Sequence, residues 1–265
     1  MSRFFPVLII WASAACMTVL PNISFSQGLT SVVYKKPEPY GGAEQWKNYL
    51  KKAMRYPDSS MKNGVEGEVE FHFIVSDQGD VRDVKMMHDL SLEIQEEAER
   101  LFHKIEWIPA IYQDSYYESE ATFKIKFDIK KYQKWCKKRG YVEAPEFEDR
   151  ESESFRVYEE QELDKLPVCI LKKKDMRLEH FLLENLRYPA EAYSRGLEGY
   201  VIMSFVIEPD GLVSNIHAET PLGGGCVAEA TRLIGLLTWE PGRLNNERVR
   251  TRKNVRIDFQ LPVDQ

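Results

Sequence analysis

The sequence predicts an α+β protein that contains the same small domain twice, each copy being a three-stranded antiparallel sheet with two helices on one face. Its 265 residues suffice for about two domains of ordinary size. When the chain is shifted by 132 positions against itself, 17 of the 55 positions from Arg55 to Pro109 are identical, whereas unrelated segments would share roughly 3. In each copy the pattern runs helix, strand, strand, helix, strand, which predicts a sheet covered by helices. The sequence therefore indicates a tandem duplication.

The identical residues fall where the backbone or the packing is constrained, which chance would not arrange. Glycines recur at turns, because glycine adopts backbone angles that other residues avoid. The matched residues include Arg55-Tyr56-Pro57 with Arg187-Tyr188-Pro189, Gly64 with Gly196, Gly67 with Gly199, Gly79 with Gly211, Glu97-Ala98 with Glu229-Ala230, Trp107 with Trp239, and Pro109 with Pro241.

Each copy begins with an amphipathic helix that a Tyr-Pro pair ends. Apolar residues three and four positions apart mark the buried face of this helix. The residue before a proline avoids helical angles, so the helix is expected to end near Pro57 or Pro189. A surface turn with Gly64 or Gly196 is predicted to follow. The buried positions are Trp46, Leu50, Ala53 and Met54 in copy one, and Phe181, Leu182, Leu183 and Leu186 in copy two.

A hairpin of two strands is predicted next. Gly79 or Gly211 supplies the positive φ that its tight turn needs. In copy two the outer face of the first strand carries Ile202, Ser204 and Val206, so we expect another part of the protein, with copy one as the candidate, to cover it. The inner face follows from alternation and consists of Val69, Phe71, Phe73 and Val75 in copy one and Val201, Met203, Phe205 and Ile207 in copy two.

A second helix and a last strand complete each copy. Trp107 and Trp239 close the helix, and this position favours packing in the core over stacking on a ligand. The helix buries Ala98, Leu101, Phe102 and Ile105, or Ala230, Leu233, Ile234 and Leu237. The last strand alternates through Ala121, Phe123, Ile125 and Phe127 in copy one, and through Val249, Thr251, Lys253, Val255, Ile257 and Phe259 in copy two.

The rest of the chain divides by composition. The first 26 residues have the pattern of a signal peptide, with Arg3, an apolar run over residues 4–15 and small residues before Gln27. An uncleaved inner-membrane anchor and a lipoprotein attached through Cys16 remain open, and all three options place the bulk of the chain outside the cytoplasm. We predict a signal peptide over 1–26, a first domain over 27–133, a charged linker over 134–153 and a second domain over 154–265. Residues 155–166 are expected to add a short hairpin.

Charge and residue spacing argue against several classes of function. The net charge of −6 argues against binding to nucleic acid. Cys136, Cys169 and Cys226 lack the spacing and the flanking histidines of a zinc site. Whether two of these cysteines form a disulfide and leave one free thiol is left open. Cys226 is interpreted as a small buried side chain. No Ser-His-Asp or Cys-His arrangement occurs at a known motif, so we expect no enzyme, cofactor or metal.

The ordered motifs of each copy resemble the C-terminal domain of the TonB family. They are Tyr-Pro, then Gly-x-x-Gly-x-Val-x-x-x-Phe, then a turn glycine, then Glu-Ala, then Trp-x-Pro, over residues 56–127 and again over 188–259. The resemblance implies a non-catalytic periplasmic domain that docks the N-terminal segment of an outer-membrane transporter by strand addition to its last strand. A three-stranded sheet leaves such an edge of unpaired backbone groups.

The sequence departs from the force-transducing relatives in three ways. No histidine precedes His72, and the 13 prolines are scattered instead of forming a spacer. Copy one also has Ala110 after its Trp-x-Pro motif, where copy two keeps Gly242. We therefore expect copy two to be the docking domain, and force transduction does not follow from the resemblance.

The outward side of the last strand in copy two is strongly basic. Such charges either protect an edge strand from aggregation or dock an acidic peptide or a peptidoglycan carboxylate, and both interpretations stay open. The alternative function is a structural or regulatory cell-envelope protein that forms a homodimer through its edge strands or contacts peptidoglycan. The candidate partner-binding residues are Arg248, Arg250, Arg252, Asn254 and Arg256.

Overall fold

The structure of the protein is a computed structural model that describes residues 34–87, 89–139, 147, 150–171 and 176–261. The predicted signal peptide, and residues 140–146, 148 and 149 of the predicted linker, lie outside the described residues. Both copies belong to the same compact unit. Within the described part of the chain, no helix is long and apolar enough to cross a membrane.

Copy one contains four helices and eight strands among its described residues. The helices are α1 (Gly42–Ala53), α2 (Asp58–Lys62), α3 (Leu92–Phe102) and α4 (Ile129–Arg139). The strands are β1 (Tyr34–Lys35), β2 (Glu38–Pro39), β3 (Gly67–Val75), β4 (Val81–Met87), β5 (Trp107–Ile108), β6 (Ala110–Tyr112), β7 (Ser115–Tyr117) and β8 (Ser119–Phe127). Residues 134–139, which the sequence assigned to the linker, are thus the end of α4.

Copy two has three helices and eight strands in its described part. The strands are β9 (Val157–Tyr158), β10 (Val168–Ile170), β11 (Gly199–Ile207), β12 (Val213–Thr220), β13 (Thr238–Glu240), β14 (Arg243–Leu244), β15 (Glu247–Arg248) and β16 (Arg250–Phe259). The helices are α5 (Leu178–Asn185), α6 (Ala190–Ser194) and α7 (Cys226–Ile234), and a 3₁₀ turn spans Glu160–Glu162.

The central sheets are antiparallel, as predicted. They run β4-β3-β8 in copy one and β12-β11-β16 in copy two, and β9 is added beside β16. The registers repeat at the offset of 132, since Phe71 pairs with Phe123 and Met203 pairs with Val255. The predicted α+β fold class is confirmed. The predicted hairpin over residues 155–166 is wrong, because β9 pairs in parallel with β16 and not with a neighbouring segment.

The corner after the first helix differs from the predicted surface turn. Pro57 and Pro189 each stand directly before a five-residue helix, which then leads to Gly64 or Gly196. Proline ends the preceding helix and fixes φ near the value that the next helix needs. The Tyr56 and Tyr188 hydroxyls donate hydrogen bonds to the backbone carbonyls of Val65 and Leu197 respectively, which closes the corner.

The Glu-Ala motif closes the same corner from the other side. Glu97 accepts a hydrogen bond from the backbone N–H of Arg55 at 2.6 Å, and Glu229 accepts one from Arg187 at 2.6 Å. Arg100 and Arg232, three residues after these glutamates, pair with the same carboxylates. Each arginine also donates to a carbonyl near the end of the first helix, so one carboxylate fixes the helix corner in each copy.

The structure also shows a small hairpin that the sequence pattern does not predict. Gln113 and Asp114 have positive φ, and so do Asn245 and Asn246 at the equivalent positions. Two such residues in succession form the tight turn that joins β6 to β7 and β14 to β15. The repeat therefore continues past Pro109, although these turn residues are not identical in sequence.

Each copy has its own apolar core beneath its sheet. Trp107 and Trp239 are 3% and 2% exposed, which confirms the prediction that they pack in the cores. Phe205 lies 5.8 Å from Trp239, ring centre to ring centre. Cys226 is fully buried as expected, and the three cysteines among the described residues are all unbridged.

Copy one covers the outer face of the sheet in copy two, as the apolar character of that face predicted. Ser204 and Val206 are fully buried, and α1 lies against β12. Tyr40 of copy one packs on His217 with ring centres 4.3 Å apart. A Cβ atom at Gly41 would lie 2.6 Å from the carbonyl oxygen of Ile216, so glycine permits this close approach.

Candidate functional site

The candidate site is the edge of β16, and its first part is built around a buried ion-pair network between the copies. Glu208 directly follows β11 and is fully buried. Its carboxylate pairs with Arg250 at 3.0 Å and with Lys104 of copy one at 3.2 Å. Arg250 and Asn215 also donate hydrogen bonds to the Lys104 carbonyl, at 2.8 Å and 2.9 Å. The start of β16 is therefore fixed to copy one.

The network holds Glu208 ionised. Burial by itself would raise the pKa of Glu208, but the attraction of Arg250 and Lys104 outweighs burial and lowers the pKa to about 2. Ser214 donates a further hydrogen bond to this carboxylate at 2.5 Å. This buried carboxylate, with its two cationic partners, holds the two copies together and is not accessible to a ligand.

The structure divides the five predicted partner-binding residues into two groups. Arg248, Arg250 and Arg252 are half-buried or buried. Arg250 is 3% exposed and lies in the network described above, so the expectation that it faces outward for a partner does not match its position. Asn254 and Arg256 are exposed on the outer side of β16.

The contacts of the first group explain why these arginines turn inward. Arg248 donates to the carbonyl of Pro209 at 2.5 Å and stacks on the ring of Phe147. Arg252 pairs with Glu106 of copy one at 2.6 Å and approaches Glu159 at 3.5 Å. Alternation along the strand predicts which face of the sheet an arginine is on. It does not show which acidic side chains from other elements pack against that face.

Arg256 keeps a solvent-facing guanidinium. Its guanidinium carbon lies 4.0 Å from the ring centre of Tyr200, and it pairs with Asp258 at 2.7 Å. Side-chain hydrogen bonding to Asp258 raises the pKa of Arg256. Stacking and pairing orient this guanidinium on the outer face, next to the exposed Asn254.

The backbone edge of β16 is occupied at its start and open further on. Val157 and Tyr158 of β9 pair in parallel with Arg250 and Thr251. No strand among the described residues pairs with β16 on this side beyond Thr251. Residues 254–259 therefore offer an edge of main-chain groups to a partner strand.

A groove opens between the copies beside β9. Its volume is about 790 Å³, and its lining includes Tyr40, Glu106, Val157, His217 and Arg252. Both copies contribute to this wall, next to the occupied start of β16. Across the described ranges, no group of three or more histidine, cysteine or acidic side chains could hold a metal ion.

The fold and this edge define a class of protein, a tandem pair of small α+β domains in which a sheet edge is available for strand pairing. The chain belongs to the family described as Gram-negative bacterial TonB protein C-terminal, which matches residues 52–129 and 184–261. One matched range lies within each copy, so the protein is a tandem repeat of the TonB C-terminal domain.

Comparison with solved structures includes the NMR solution structure of the Helicobacter pylori TonB-CTD (residues 179-285). The identity is 18%, the match covers 32% of this chain and 78% of that chain, and the TM-score is 0.24. None of the curated proteins matches this chain.

Proposed function

We propose that the protein is a non-catalytic periplasmic binding protein whose copy two docks an extended peptide by strand addition to β16. The observation that carries this proposal is the pairing of β9 with the same edge at Arg250 and Thr251. Main-chain pairing supplies affinity in such complexes, and the side chains beside the edge supply specificity. Asn254 and Arg256 flank the open part of the edge and would contact the peptide.

The proposed partner is the N-terminal segment of an outer-membrane TonB-dependent transporter or of a related cell-envelope protein. Membership of the TonB C-terminal family supports this choice. Energy transduction is not part of the proposal, because nothing in the described residues bears on a connection to the inner membrane.

A structural role in the cell envelope is the second candidate function. In copy one β8 pairs with β3 alone among the described strands, so its outer edge is open over nine residues. An open edge of this length can pair with a second copy of the chain. Under this candidate the protein forms a homodimer through its edge strands and binds no transporter peptide.

The test is a titration of the isotopically labelled protein from residue 27 onward with transporter N-terminal peptides, followed by NMR. Shifts concentrated on residues 254–259 support strand addition at copy two. Shifts on β8 would move the site to copy one, and a dimer with no peptide response would favour the structural role. Proline variants then test the backbone directly, because proline lacks the N–H that a paired strand donates.

The repeat provides a matched control for the proline variants. Lys253 and Asn254 lie at the middle of β16, and alternation means that only one of their N–H groups points to the open edge. Proline at that position is expected to abolish peptide binding and leave the fold intact. The equivalent positions in copy one are Ala121 and Thr122, since Thr122 pairs with His72 as Asn254 pairs with Ser204. Proline there should leave binding unchanged.

A further inference from the structure

The segment between the two copies lies along the first part of the proposed docking edge. The backbone N–H of Arg248 donates to the carbonyl of Arg150 at 2.9 Å, and the N–H of Ser152 donates to the carbonyl of Arg248 at 3.0 Å. Farther along, Val157 and Tyr158 pair with Arg250 and Thr251. Residues 150–158 thus run parallel to the chain from Arg248 to Thr251, at the start of β16.

Side chains of the segment match the charges of the strand. Glu160 pairs with Lys253 at 2.6 Å, and Glu159 approaches Arg252 at 3.5 Å. The carbonyl of Phe155 accepts a hydrogen bond from Arg250 at 2.7 Å. An extended backbone and two successive acidic residues therefore meet a basic strand edge inside the same molecule.

Copy one has no such arrangement among the described residues. Glu118 and Glu120 stand where copy two has Arg250 and Arg252. Glu118 pairs with Arg82 of the neighbouring hairpin, and no described strand lies beyond β8. The occupied edge is a feature of copy two alone within the described ranges, so the shared domain fold does not account for it.

We propose that residues 150–162 are a tethered competitor that occupies copy two's edge in the manner of an acidic partner peptide. This inference rests on the proposed function and deepens it. The partner is an extended peptide with acidic residues opposite Arg252 and Lys253, and it pairs along all of β16 only after the tethered segment has left. With the segment in place, a peptide reaches residues 254–259 alone. The fraction of molecules with a released segment therefore sets the apparent affinity.

The first experiment weakens the tethered segment through its charges. Glu159→Gln combined with Glu160→Gln removes the two contacts to Arg252 and Lys253. A transporter peptide should then bind the full protein about tenfold more tightly, since two partly exposed ion pairs no longer favour the docked segment. Glu44→Gln combined with Glu96→Gln changes the net charge equally at exposed helical positions and is the matched control.

A neutral peptide separates competition from simple charge attraction. In this peptide the acidic residues of the partner are replaced by glutamine. Release of a competitor strengthens binding of both peptides, whereas freed basic side chains strengthen binding of the acidic peptide alone. Stronger binding of both supports the proposal, and a gain restricted to the acidic peptide overturns it.

The second experiment tests the edge without any transporter peptide. Proline at Val157 or at Tyr158 removes the N–H that β9 can donate to β16, and the variant whose N–H faces β16 should release the segment. A synthetic peptide of residues 150–163 should bind this variant and bind the unaltered protein at least tenfold more weakly. Amide hydrogen exchange on β16 verifies that the segment has left.

The outcomes separate the inference from the proposed function. If the synthetic segment binds the released variant while transporter peptides bind neither protein, the proposed partner is wrong and the tethered occupant stands. If β16 amides are exposed in the variant and neither the synthetic segment nor a transporter peptide gains affinity, the tethered competitor is wrong.

Discussion

The ammonium nitrogen of Lys104 in copy one lies 3.2 Å from a carboxylate oxygen of Glu208 in copy two. Both side chains are almost fully buried, and Arg250 pairs with the same carboxylate. These positions break the repeat, because Leu236 replaces Lys104 in copy two and Ser76 replaces Glu208 in copy one. Leu236 is 50% exposed where Lys104 is 2% exposed. The two domains have diverged at the surface where they meet.

Acid is expected to destabilise the protein through Glu208. The folded pKa is about 2, below its ordinary value of 4.5. The stabilisation from this group is therefore fully present above about pH 4.5 and is lost as the pH falls toward 2. Its size is about 3 kcal/mol. Urea unfolding of the full protein at pH 7, 4.5 and 3 measures the free energy of unfolding across this window.

Glu208→Gln is the control for the acid dependence. At pH 7 this variant leaves Lys104 and Arg250 buried without their anion, so its free energy of unfolding should fall by about 3 kcal/mol or more. Between pH 4.5 and 3 its stability should change less than that of the unaltered protein. Identical pH profiles for the two proteins would show that Glu208 does not carry the effect.

The two copies should bind each other when they are produced as separate chains. We expect residues 27–139 and 150–265 to fold separately, because each copy has its own core. They should form a one-to-one complex, because copy one covers Ser204 and Val206 of copy two. Sedimentation of the mixed fragments measures the complex. Lys104→Ala in the first fragment should weaken it by about thirtyfold or more, since a buried charge pair is broken. Fragments that stay apart at high concentration would contradict this prediction.

Gly211→Ala should destabilise copy two far more than Gly196→Ala. Both glycines have positive φ, but a Cβ at Gly211 would lie 2.3 Å from the carbonyl oxygen of Trp239, whereas a Cβ at Gly196 meets nothing within 4 Å. We expect losses of about 3 kcal/mol or more and about 1 kcal/mol respectively. Chemical denaturation of both variants measures the difference. Equal losses would mean that the positive φ alone explains both glycines, and that the contact with the Trp239 carbonyl adds nothing.

Removal of the corner glutamate should have similar effects in the two copies. Glu97→Ala and Glu229→Ala each remove an acceptor for a backbone N–H and for an arginine. Burial opposes ionisation of Glu229, but hydrogen bonds from Arg232 and Arg187 outweigh it and lower its pKa. We expect each variant to lose about 3 kcal/mol. The exposed Glu96→Ala should change stability by less than about 0.5 kcal/mol. A comparable loss there would rule out a specific role for Glu97 and Glu229 at the helix corner.

Trp239→Ala should destabilise copy two by roughly 3–5 kcal/mol, as expected for truncation of a large aromatic side chain in a core. The ring is 2% exposed and packs near Phe205. Thermal and urea unfolding measure the loss, and Trp107→Ala provides the equivalent test in copy one. A loss near zero would show that the ring does not stabilise the core.

Local patterns in the sequence were sufficient to predict the domain fold. Alternation over Val201, Met203, Phe205 and Ile207 identified the buried face of β11, because side chains point to opposite sides of a strand with a period of two. Proline at position 57 and glycine at position 79 marked a helix end and a tight turn, since both residues restrict or permit particular backbone angles. The small hairpin at Asn245 was missed, because its turn residues differ from those of copy one.

The sequence by itself determined the duplication, the α+β class of each copy, most of each core and the outer face that needed a cover. Leu183 was expected to be buried but is 64% exposed. The tertiary structure alone decided the partners of the basic residues on β16. Arg250 and Asn254 are both polar and lie on the same last strand, yet Arg250 is buried against Glu208 and Asn254 is exposed. Alternation along a strand shows which face of the sheet a side chain is on. Its burial and its charged partners depend on elements distant in sequence, which for β16 are Lys104 and the segment that carries β9. Those contacts follow from the packing of one copy on the other, which no local pattern encodes.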